Sequence, residues 1–151
     1  MLLTTIVYMK YEEYIEKKGT RAAIPVVAFG EFFKHHRSNI LKILTANFLM
    51  LLCGYMGERG LLDKWTANIV GFVFFAYAFA TIHSEYAVHS DVGRKLYMFL
   101  VVVWSMYGVA FLMPDVMKNN TFNALDIVAK NFFGLYLYWK VKGIASDNTQ
   151  S

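Results

Sequence analysis

Residues 121–141 read TFNALDIVAKNFFGLYLYWKV. The stretch is long and apolar enough to cross a bilayer as a helix, yet it holds Asp126 and Lys130 one helical turn apart near its middle. A charge at the centre of a membrane helix costs about 2.5–3.5 kcal/mol on insertion scales, so an ionisable pair at that depth points to function. The alternative is a stabilising i,i+4 ion pair, Asp before Lys, on a water-exposed helix. The flanks argue against it. Leu125, Ile127, Val128, Ala129, Phe132, Phe133, Leu135 and Leu137 occupy all sides and leave no polar face. Such surroundings disfavour the charged form of a lysine and prepare its amine to attack an aldehyde and form a Schiff base. Once protonated, that imine needs an anion, and Asp126 is about 6 Å away at the usual helical rise.

Working outward, the whole chain has the composition of a membrane protein. Of its 151 residues, 57% are hydrophobic and 17% aromatic, and the mean hydropathy is +0.38. The net charge of +4 does not indicate nucleic acid, because the basic residues sit at the ends of apolar runs rather than among aromatics on a polar face. The single cysteine, Cys53, lies inside an apolar run and provides neither a disulfide nor a zinc cluster. No phosphate loop or metalloprotease motif occurs, and no metal or enzymatic activity is expected. The adjacent His35 and His36 do not share a helix face, which makes them poor metal ligands.

Three further spans are expected, over residues 40–56, 65–83 and 96–113, with Trp65 as an interfacial anchor. Residues 1–9 read as the tail of a membrane helix that continues through a charged run to Lys18, and not as a signal peptide. Residues 21–33 are apolar but short, which suggests an interfacial segment. Residues 84–95 are expected to connect two spans, and 114–120 to form a short turn. The resulting division is residues 1–39 as a helix end with an extended cytoplasmic connection, 40–142 as four transmembrane helices, and 143–151 as a flexible cytoplasmic tail.

Lys10, Lys17, Lys18, Arg21, Lys34, Arg37, Lys42, Arg94, Lys95, Lys140 and Lys142 fall on one side of this map. Only Arg59, Lys64 and Lys118 fall on the other. The first side is therefore expected to be cytoplasmic, with the carboxy terminus inside and Asp126 on the outer side of Lys130.

In the span before the lysine helix, Trp104, Tyr107 and Phe111 follow at i+3 and i+7 on one face. An aromatic stripe of this kind ordinarily packs as core. Here, however, LDIVAKNFFG resembles the last helix of microbial (type 1) rhodopsins, and Trp104 and Tyr107 fit that family's W-x-x-Y-P pattern. GYMGERG, residues 54–60, is also similar to the corresponding turn of proteorhodopsin-type pumps.

The resemblance implies an all-α membrane protein, a helical bundle of the seven-transmembrane type, of which this chain supplies the end of the third helix and the last four. It implies retinal as cofactor, bound as a Schiff base to Lys130 with Asp126 as counter-ion. Trp104 and Tyr107 would pack on the polyene, with Tyr107 able to hydrogen-bond Asp126. Gly108 stands where the family has proline, and Phe111 where it has Trp or Tyr. Asn47, Met50 and Gly54 fall where the family lines the ring end, and Phe75 where it usually has a tryptophan.

Residues 1–10 match the family's third-helix motif, R-x-x-D-W-x-x-T-T-P, only in Thr4 and Thr5, with Ile6 in place of the proline. The chain is accordingly expected to begin within or just past that helix, and its four spans to leave the chromophore open to lipid on one side. The function expected from the resemblance is an outward proton pump. Candidate cytoplasmic relay groups are Glu12, Glu13, His83 and Glu85. A light-gated cation channel or photosensor of the same family is the nearer alternative, and a chromophore-free membrane scaffold the more distant one. The expected partners are lipid, retinal, small ions and further copies of the chain.

Overall fold

A computed structural model describes residues 2–18 and 29–147. Among these residues every regular element is helical, in the order α1 Leu2–Lys18, α2 Phe29–Glu58, α3 Lys64–Ile82, α4 Asp91–Phe111, α5 Asp115–Asp126 and α6 Phe133–Asp147. Two π-helical segments intervene: His83–Ala87 prolongs α3, and Ile127–Phe132 joins α5 to α6.

Local sequence explains where the helices stop and start. Gly60 takes a left-handed φ of +68° after α2. Its N–H reaches the Gly57 carbonyl while the Leu61 N–H reaches Met56, closing the orphan carbonyls of α2 in a Schellman motif. Three residues on, the Asp63 carboxylate accepts from the Trp65 and Thr66 amides at 3.0 and 3.2 Å and caps α3. Ser90 caps α4 in the same way, through the Gly93 amide at 2.9 Å. At the α2–α3 crossing, a Cβ on Gly57 would lie 2.8 Å from that of Ala67, so the absent side chain lets the two helices approach.

Phe33–Glu58, Lys64–Ala87 and Asp91–Phe111 are helices long and apolar enough to cross a bilayer. The fourth expected span is split in its hydrogen-bond pattern by the π segment, but its backbone stays helical at both junctions, Ile127 and Phe133, and runs on to Asp147. The bundle's core lies toward one end, where Ile6 and Met9 of α1 meet Ile40 and Ile43 of α2, Ile82 of α3 and Tyr86 just after it, Leu100 of α4 and Phe133 of α6. Most of the remaining apolar surface faces outward, as lipid-facing helices require.

Several expected boundaries move. Residues 114–120 are not a turn: Pro114 sets an extended backbone (φ −56°, ψ 147°) and α5 begins at Asp115, whose charge suits a helix N-terminus. The connection at 84–95 shrinks to residues 88–90 between helical segments. Of the expected interfacial segment 21–33, residues 29–33 already belong to α2, and 21–28 lie outside the described residues. Residues 143–147 of the expected tail continue α6, while 148–151 lie outside the described residues.

Candidate functional site

A cavity of about 490 Å³ opens between α2, α3, α4 and the lysine helix. From α2 it is lined by Met50, Leu51, Gly54 and Glu58, and from α3 by Ala67, Asn68, Gly71, Phe72 and Phe75. From α4 come Trp104, Tyr107, Gly108 and Phe111, and from the lysine helix Phe122, Asp126, Ala129 and Lys130. Nine of the ten residues singled out in the sequence therefore line one cavity. Asn47 does not line the cavity. It lies nearly one turn before Met50, and the α2 side chains that reach the cavity begin with Met50.

At the polar end, Lys130 Nζ donates to Asp126 Oδ2 at 2.7 Å, and the Tyr107 hydroxyl donates to Asp126 Oδ1. The carboxylate is thus fixed between an amine on its own helix and a phenol on α4. Lys130 sits inside the π segment Ile127–Phe132, a local widening of the helix of a kind common at functional sites.

The lysine is not enclosed as its apolar neighbours suggest: its side chain is 65% exposed and that of Asp126 44%. Ile127, Val128 and Leu135 are themselves exposed, so residues of the same helix do not enclose it. Any desolvation has to come from what packs across that open face.

The apolar walls are aromatic. Phe75 stacks on Phe79 with centroids 4.3 Å apart, Phe72 meets Phe75 edge-on at 5.6 Å, and Phe79 lies 6.1 Å from Trp104. Gly108 makes room for this wall. A Cβ there would sit 2.4 Å from Phe72 Cζ, and its carbonyl accepts from Asn68 Nδ2 at 3.4 Å. Phe72, Asn68 and Phe122 line the cavity in addition to the residues expected from the sequence, and helical spacing points to two of them. Phe72 is three residues before Phe75, and Phe122 four before Asp126, so each shares a face with a residue already picked.

Beyond the cavity, each end of the bundle carries a polar cluster. At the end with Glu58, the nearly buried Lys118 donates to Glu58 Oε1 and Oε2 at 2.8 and 2.7 Å and to Asp115 Oδ1 at 2.9 Å, and Lys64 stands 3.8 Å from Asp115. Both groups lie outside the membrane-spanning segments. Hydrogen bonding from Lys118 holds the Asp115 carboxyl below the usual carboxylate range, and hydrogen bonding to Glu58, then to Asp115, pushes the Lys118 ammonium up. The i,i+3 pair was legible in the sequence, but the cross-bundle partner sixty residues away was not.

At the opposite end, Asn39 donates to Glu85 at 2.7 Å, and Lys10 donates to Glu13 at 2.7 Å while lying 5.6 Å from the centroid of the Tyr86 ring. Of the other expected relay groups, Glu12 accepts from Tyr8 and the His83 ring lies 5.0 Å from that of Tyr97.

Residues 23–142 match the family model described as bacteriorhodopsin-like protein. Two green-light absorbing proteorhodopsins, from Gamma-proteobacterium EBAC31A08 and from an unknown prokaryotic organism, are each 30% identical over 125 residues, which is 71% of this chain and 49% of theirs. The crystal structure of viral rhodopsin OLPVRII superposes with a TM-score of 0.62 at 31% identity, over 69% of this chain and 51% of that one. The chain thus spans about half the length of the relatives it matches.

Proposed function

The chain belongs to the microbial rhodopsin family, and from that premise we propose that it forms the retinal-holding part of a light-driven outward proton pump. Lys130 is the attachment residue and Asp126 the counter-ion. The observation that carries this reading is the Tyr107–Asp126–Lys130 hydrogen-bond chain opening onto the cavity.

The residues present suit an elongated polyene. The amine and carboxylate stand together, and the space beyond them is walled by Phe72, Phe75, Trp104 and Phe111, with Met50 and Gly54 lining it from α2. When bound, retinal supplies visible-light absorption and a covalent, protonatable link to the Lys130 nitrogen, formed with loss of one water. The chain's own groups then do three things. Asp126 places a negative charge against that nitrogen. Tyr107 donates to the other carboxylate oxygen and so ties the anion to α4. Trp104 and the phenylalanines exclude water from the apolar length of the cavity.

Asp126 lies nearer than Lys130 to the end of the bundle that carries Arg59, Lys64 and Lys118. That end has the fewer basic residues, which makes it the outer side and the carboxy terminus cytoplasmic. A proton passing from the Lys130 nitrogen toward Asp126 moves outward.

Adding all-trans retinal to the protein in membranes is expected to produce a visible absorption band that Lys130→Ala abolishes. After borohydride reduction under illumination, the peptide containing Lys130 should carry the added chromophore mass. A band that survives Lys130→Ala, or an unmodified peptide, overturns the assignment. Sustained, uncoupler-sensitive acidification by illuminated cells supports pumping, whereas a passive current that reverses with the ion gradient replaces the pump with a channel.

A further inference from the structure

A second hollow, about 610 Å³, lies between α2 and α3 and shares no lining residue with the aromatic cavity. Its composition changes along its length. Ser38, Lys42, Thr45 and Leu49 follow at i, i+4, i+7 and i+11 and so share one face of α2, while Val73 and Tyr77 share a face of α3. The groove therefore has a cation and hydroxyls toward the Ser38 end and aliphatic walls toward Leu49 and Val73.

Depth fixes what such a groove can meet. Lys42 lies sixteen residues before Glu58, or about 24 Å along the helix. With Glu58 near one interface and a hydrocarbon core about 30 Å thick, the Lys42 backbone sits roughly 6 Å below the other interface. A lysine stem spans that distance and delivers its ammonium to the headgroup layer. Among the described residues, no carboxylate pairs with Lys42. The Glu85 carboxylate at the same end is engaged by Asn39.

We propose that this groove binds one anionic phospholipid of the surrounding bilayer, with its phosphate at Lys42 and the neighbouring hydroxyls and one acyl chain along Leu49 and Val73. Charge complementarity selects an anionic headgroup over a zwitterionic one. The aliphatic walls suit a hydrocarbon chain, which contributes about 0.8 kcal/mol per buried methylene. The site lies apart from Lys130 and Asp126, so it stands or falls independently of the chromophore.

The test uses the full chain reconstituted in nanodiscs of mixed phosphatidylglycerol and phosphatidylcholine, released and weighed by native mass spectrometry. One retained phosphatidylglycerol and no retained phosphatidylcholine are expected. Lys42→Gln should lower that retention about fivefold, while Lys42→Arg and the control Lys142→Gln keep it. Leu49→Trp, which fills the groove and leaves the charge, should also lower it, with helical circular dichroism unchanged. Equal retention of phosphatidylcholine overturns the proposal. So does phosphatidylglycerol retention unaffected by both Lys42→Gln and Leu49→Trp, or a dimer mass that Leu49→Trp dissolves, which would make the occupant a second copy of the chain.

Discussion

Asp126 answers to two donors, and their worth depends on whether the chromophore is present. Without it, the pair with Lys130 is an i,i+4 contact inside a membrane helix, where hydrogen-bonded side chains couple by about 0.6 kcal/mol on average and about 1.7 at most, so a double-mutant cycle with Asp126→Asn and Lys130→Gln in thermal unfolding should give a coupling below about 2 kcal/mol. With retinal bound, Asp126→Asn removes the anion beside a fixed positive charge, and the absorption band should move to longer wavelength. A coupling of several kcal/mol in the retinal-free protein would instead make the pair a structural clamp. At Gly108 the issue is space. Gly108→Ala puts a methyl against the Phe72 ring and should slow retinal uptake severalfold while costing about 1–3 kcal/mol, and Phe72→Leu should restore uptake. The sequence exposed this site well where residues share a helix face: Asp126 with Lys130, and Trp104 with Tyr107 and Phe111. It was less informative about the exposure of Lys130, because apolar neighbours along one helix do not reveal what packs across from it.

Among the elements, the short link between α2 and α3 shows how local chemistry sets a span's end. Gly60→Ala must hold a side chain at φ +68°, and should lower stability by about 1–2 kcal/mol in thermal unfolding of the detergent-solubilised protein. The three helices long and apolar enough to cross a bilayer were legible from apolar runs bounded by charged or glycine-rich turns. Span ends were less so. A proline followed by polar residues at 114–120 looks like a loop, yet the same residues make a helix start, because proline tolerates the position before a first turn and Asp115 favours that turn. The π segments left no trace in the hydropathy pattern, since they change hydrogen-bond partners without changing which residues are apolar.

For the whole molecule, the ends are fastened by contacts between residues far apart in the chain. Lys118 links α5 to the last residue of α2. The Asp115 carboxyl is held below its ordinary 3.8, so its contribution is present above that pH and is lost as pH falls through the lowered value. The Lys118 ammonium is held above its ordinary 10.5, so its contribution is complete below that pH and fades as pH rises through the raised value. The melting temperature should therefore show a plateau that falls away at both extremes, and Lys118→Met should lower the plateau and flatten both flanks. Unchanged flanks in that variant would remove the link from the account of stability. Such long-range pairing was not legible in the sequence, which contains the charges but not the geometry that brings residue 58 to residue 118.

The lysine helix buries Leu125, Ala129 and Phe133, spaced by four, and Phe133 stacks on Phe99 with centroids 5.5 Å apart. Ordinary winding advances such a row by about 40° at each step, so a seam drawn with that spacing would curl away from its neighbour within a few turns. The slackened coil between Asp126 and Phe133 takes up this drift and keeps the seam straight. Losing one residue there would restore tight winding and leave everything downstream nearly in place, because five residues at about 100° each turn the chain about as far as six in the wider coil; Phe133 would keep its stack on Phe99, and Tyr136 and Trp139 would still face outward.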